Sequence, residues 1–190
     1  MRLLLPLLLL SMVAAPALAR EGTGAGVSLG VGVAASSPSP GPGLLVDLPS
    51  LEIALGGKDP RRSQFRLRWH ALKTVFAAAL EQQLEFQIDA MLLATPCDCA
   101  LGDHMIRPVL GPTLGLLFQA IPVAQTVQPG LVAGGRFGAE YVGPQRRIGL
   151  TVAAEPFFLV QGGSAGPDRT TARVGGGAQI VVAITGYQAP

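Results

Sequence analysis

Apolar and polar side chains alternate one for one along much of this chain. In Phe65-Arg66-Leu67-Arg68-Trp69-His70, and again in Leu84-Glu85-Phe86-Gln87-Ile88-Asp89-Ala90, the alternation runs without a fault. A β-strand turns successive side chains to opposite faces, so each segment has one apolar or aromatic face and one charged or amide face. From Gly26 to Ala35, Val27, Leu29, Val31 and Val33 alternate with Ser28, Gly30 and Gly32, which predicts a first strand with one small-residue face. A second strand is expected over residues 44 to 55. There Leu44, Val46 and Leu48 hold one phase and Leu51, Ile53 and Leu55 the other. A one-residue slip exchanges the faces, so a bulge or break is predicted at Pro49 and Ser50.

Four more strands are predicted over 104–121, 130–142, 147–161 and 171–187, joined by 122–129, the tight turn 143–146 and 162–168. The stretch Leu72 to Gln82 is rich in Ala, Leu, Glu and Gln, which favour helix, and is read as a short helix in a connection, with a continuing strand as the alternative. Eight strands result. An even count with short turns alternating with longer loops predicts an all-β fold, a closed antiparallel eight-stranded up-and-down barrel with both termini at one end.

Composition gives the faces a solvent. The chain is 49% hydrophobic and only 14% charged, with a mean hydropathy of +0.44, whereas an ordinary domain carries about 25% charged residues. Yet beyond the first residues no apolar run approaches the roughly 18 residues of a transmembrane helix. A transmembrane barrel reconciles the two, because alternation spreads lipid-facing residues over many short strands. The opening also fits export: Arg2, the apolar run Leu3 to Leu10 and the small-residue stretch ending Ala17-Leu18-Ala19 have the order of a secretory signal peptide. Residues 1–19 are therefore expected to be a cleaved signal peptide and 20–190 the barrel, placed in the outer membrane of a Gram-negative cell, with lipid and the outer-membrane assembly machinery as its partners. A net charge of +2 without a basic stripe gives no reason to expect nucleic acid.

Export combined with alternation resembles the small eight-stranded outer-membrane barrels of the OmpA or opacity type, and the composition resembles uncharacterised barrel proteins of high-GC bacteria such as myxobacteria. Gly177-x-x-Ile180-x-Val182 resembles the core of the signal that the assembly machinery reads in a last strand.

Continuing the alternation puts Glu52, Arg66, Arg68, Glu85, Gln87, Asp89, Arg136, Glu140, Glu155 and Arg173 on the predicted lumen faces. Opposite charges in a narrow, poorly solvated interior should pair, which predicts a structural salt-bridge network filling the lumen. A polar path for protons, small ions or water is the alternative. No enzyme activity, cofactor or metal is expected. His70 and His104 lie at strand ends without a G-x-S-x-G elbow, and both are read as polar or rim residues. Cys97-Asp98-Cys99 is the one compact unusual feature, read as a possible disulfide staple in an oxidising compartment. A soluble, lipocalin-like barrel with an apolar ligand is the rival reading of the whole chain. It requires Phe65, Leu67, Trp69, Phe86 and Ile88 inside and the charges in water.

Overall fold

In a computed structural model, residues 23–37, 42–56, 63–76, 82–121, 126–144, 147–162 and 172–187 are described. Eight long strands follow the predicted order: β1 (Gly24–Ser37), β2 (Gly43–Gly56), β3 (Ser63–Phe76), β4 (Gln82–Ala94), β6 (His104–Ile121), β7 (Thr126–Val142), β8 (Ile148–Gln161) and β9 (Arg173–Tyr187). A three-residue strand, β5 (Cys99–Leu101), pairs with β6 alone, in a hairpin that turns at Gly102 and Asp103. Gly102 has φ +61° there, a conformation that suits glycine.

Each long strand pairs antiparallel with its sequence neighbour, β1 pairs with β9, and β4 pairs with β6 across the short β5 hairpin. The sheet closes on itself as an eight-stranded antiparallel barrel. Its stagger can be followed through paired residues. From Val27 the path runs through Leu51, Trp69, Ile88, Leu116, Leu131, Val160 and Val174, and returns to β1 at Ser37, ten residues along. Eight strands with a stagger of ten tilt by about 40° and leave an interior that side chains can fill.

The bulge predicted near Pro49 is present. Ser28 pairs with Ser50 but Gly30 pairs with Asp47, so β2 holds one extra residue within Leu48 and Pro49. Asp47 and Ser50 consequently both face inward, while Leu48 is exposed. A matching extra residue in β3, between His70 and Lys73, keeps β2 and β3 in register.

No helix occupies the described part of residues 72–82. β3 continues to Phe76 and β4 begins at Gln82, while 77–81 lie outside the described residues. The helix formers in this stretch are overridden by the ladder: Lys73 to Phe76 pair with Leu44 to Asp47 on one side and Gln82 to Glu85 on the other, and tertiary pairing outweighs a preference of a few tenths of a kcal/mol per residue. Residues 1–19 lie outside the described residues.

Candidate functional site

Alternation places the charged side chains inside. Glu52, Arg66, Arg68, His70, Asp89, Arg136, Glu140 and Glu155 are all buried, and Arg66 and Arg136 are 0% exposed despite their size. Such bulk needs small neighbours: the ring of Tyr187 lies over Gly24 and Gly149, where an added Cβ would stand 2.9 Å from ring carbons.

The ion pairs form one connected chain. Glu52 on β2 receives Arg66 Nη1 from the adjacent β3 at 2.6 Å and Arg136 from β7 through two bonds of 2.9 and 3.0 Å. Arg136 Nε then donates to Glu155 on β8 at 2.6 Å. Arg68 on β3 reaches the same Glu155 through both Nη atoms at 2.9 and 2.8 Å, and Asp89 on β4 at 2.8 Å. Gln179 on β9 also donates to Glu155, and Gln87 donates to Asp89. Toward the end where β1 begins and β9 finishes, Arg66 Nη2 meets Glu140 at 3.3 Å and the Tyr187 hydroxyl at 2.8 Å, while Arg107 Nε donates to Glu140 at 2.7 Å. The Tyr187 hydroxyl donates to Glu140 in a short hydrogen bond.

At the other end of the chain of ion pairs, His70 stands between two acids. Its Nδ1 lies 2.9 and 2.8 Å from the two oxygens of Asp47, and its Nε2 lies 2.8 Å from Asp89 Oδ2. Ser50 Oγ is 3.2 Å from Nδ1 and donates to Asp47 at 2.9 Å. A serine, a histidine and an acid together suggest a hydrolase constellation, but Ser50 and His70 are 0% exposed, so no ester or amide could approach the hydroxyl. His70, expected as a polar or rim residue, is a polar residue buried away from the rim, a bridge between β2 and β4.

Of the residues singled out from sequence, Glu52, Arg66, Arg68, Gln87, Asp89, Arg136, Glu140 and Glu155 come together in this chain of contacts. Arg173, half-buried, begins β9 at the end of the barrel away from Tyr187. The side chain of Glu85 lies outside the described residues. Asp47, Ser50, Gln64, Arg107, Gln179 and Tyr187, which were not singled out, complete the network with His70. For Asp47, Arg107 and Gln179 the signal was available, since each shares the inward phase of its strand. Cys97 and Cys99 are exposed, unbonded thiols. His104, at the rim, stacks on Tyr141 with ring centroids 5.5 Å apart and is hydrogen-bonded to its hydroxyl. Among the described residues no group of three His, Cys, Asp or Glu side chains is arranged to hold a metal ion.

No family model and no curated protein matches the chain. Among solved structures it is similar to the crystal structure of Neisserial surface protein A, at 12% identity over 88% of this chain and 97% of that one, with a TM-score of 0.59. The chain has the fold of a small eight-stranded β-barrel. Ail, the attachment invasion locus protein of Yersinia pestis, aligns over 87% of this chain and 96% of that one at 11% identity, with a TM-score of 0.42. The barrel's two faces, charged within and apolar without, therefore have to be interpreted from this chain's own residues.

Proposed function

We propose that this protein is a non-enzymatic outer-membrane β-barrel, exported by a cleaved signal peptide over residues 1–19, that serves the cell envelope structurally or through surface interaction. The observation that carries the reading is the orientation of the faces. Leu114, Ile180, Phe137 and Leu131, on three different strands, point outward and are 62%, 55%, 54% and 55% exposed, while the acids and arginines point inward. A water-soluble protein rarely exposes apolar surface on this scale. Lipid makes it a solvated face, and strands of 14 residues tilted by about 40° rise about 35 Å, enough for an apolar band of about 25 Å.

The lipocalin-like alternative needs the opposite orientation. Phe65, Leu67, Phe86 and Ile88 are exposed on the outer wall and Trp69 is half-exposed there, so the side chains it requires inside lie outside. The filled lumen supports a structural or surface role over transport. On the β8–β9–β1 wall Ser28, Thr151 and Thr185 are each 1% exposed, which supports the same reading.

Fractionation of the native host's envelope, followed by electrophoresis of the extracted protein with and without boiling, tests the reading. Recovery in the outer membrane with a heat-dependent mobility is the expected result. Recovery as a soluble protein overturns it.

A further inference from the structure

We propose that His70 is a proton-dependent clamp that ties β2, β3 and β4 together where their ladder is interrupted. Both ring nitrogens face carboxylate oxygens at 2.8 to 2.9 Å, Asp47 on β2 and Asp89 on β4. A carboxylate only accepts, so filling both contacts requires both nitrogens to donate, which is the property of the imidazolium. A neutral ring keeps one N–H and turns a lone pair toward the second acid.

The surrounding charges point the same way. In the chain of ion pairs the carboxylates are Asp47, Glu52, Asp89, Glu140 and Glu155, and the guanidinium groups are Arg66, Arg68, Arg107 and Arg136. With His70 charged, every acid in this set has a cation to balance it; with His70 neutral, one negative charge is left over at a site shut off from water. Asp89 keeps Arg68 at 2.8 Å, and Arg68 is itself shared with Glu155 on β8, while the register sets Lys73 of β3 opposite Asp47 and Glu85 of β4 opposite Lys73. Among the described side chains, Asp47 then retains the Ser50 hydroxyl and whatever the neutral ring can donate. Gln87, the remaining polar group on β4 beside the site, already donates to Asp89.

Location gives the clamp leverage. The extra residue of β2, within Leu48 and Pro49, interrupts the β1–β2 ladder and that of β3, between His70 and Lys73, the β3–β4 ladder at this level, so side-chain ties add cohesion where backbone pairing is broken. Losing the proton therefore loosens this corner while the Glu52 and Glu155 bridges hold the rest.

The clamp requires the closed barrel and is independent of where in the cell the barrel resides. The test follows the temperature at which the full-length folded protein in detergent loses its heat-dependent gel mobility, from about pH 5 to about pH 9, above the range in which ordinary carboxylates take up protons. The expected result is a transition that falls by several degrees as pH rises in the wild type and in His104→Gln, and that is flattened in His70→Gln. Asp47→Asn supplies a second readout should His70→Gln not fold: with one acid neutralised, the fall shrinks. A flat wild-type profile overturns the proposal, as does an undiminished fall in either His70→Gln or Asp47→Asn.

Discussion

Arg136 on β7 holds Glu52 on β2 across the full width of the barrel, through paired bonds of 2.9 and 3.0 Å. Four strand steps separate β2 from β7 in either direction around the sheet, so this is a brace along a diameter. Arg68 on β3 and Glu155 on β8 form a second. Removing one member of a buried pair strands the other. Arg136→Met is expected to lower unfolding free energy by about 3 kcal/mol or more, measured by urea titration of the folded protein in lipid vesicles. The double variant Glu52→Gln/Arg136→Met should cost less than the sum of the two single changes, because the stranded acid is gone.

Tyr187 ties the last strand to two distant walls through one oxygen, which meets Arg66, Arg107 and Glu140. Tyr187→Phe keeps the ring over Gly24 and Gly149 and deletes only that oxygen. A loss of about 1 to 3 kcal/mol is expected in the same titration, with no change in extracted yield of folded barrel.

Much of this architecture is legible in the residues. Faultless alternation in β3 and β4 set the faces, and the phase change around Pro49 located the bulge, because both depend only on a period of two. The helix expected after Leu72 failed because composition speaks for local preference, while Lys73 to Phe76 are held by β2 and β4. Pairing across the lumen was not readable. Arg68 meets Glu155 and Arg136 meets Glu52 only because the sheet closes with a stagger of ten residues, a quantity that no short segment contains. The place of His70 was hidden for a related reason: its partners Asp47 and Asp89 come from neighbouring strands, and the extra residue within Leu48 and Pro49 sets how β2 meets it.

The outward face makes a separate prediction about solvent. Ile180 is 55% exposed in the middle of β9. Ile180→Arg is expected to destabilise the barrel by about 2 to 4 kcal/mol in lipid vesicles if that face lies in the hydrocarbon. A cost near zero in vesicles would place the residue in water and count against the membrane reading.

The β5 hairpin offers a backbone test. Gly102 has φ +61° with open space where a Cβ would point, so only conformation opposes a side chain there. Gly102→Ala should cost about 1 kcal/mol and Gly102→Asn less, since asparagine tolerates the left-handed region. Hydrogen exchange of the Leu101 and His104 amides reports the local effect.

The diametral braces also bear on how the molecule is made. Glu52 and Arg68 arrive with the first four strands, and Arg136 and Glu155 with the last four in chain order. Each half brings some partners with it, Glu52 with Arg66 and Arg68 with Asp89 in the first, Arg136 with Glu155 in the second, but the bonds along the diameter wait for the other half. Sealing the cylinder and completing its diametral bonds are thus a single event, and the last contacts to form are the ones that fix the width of the barrel.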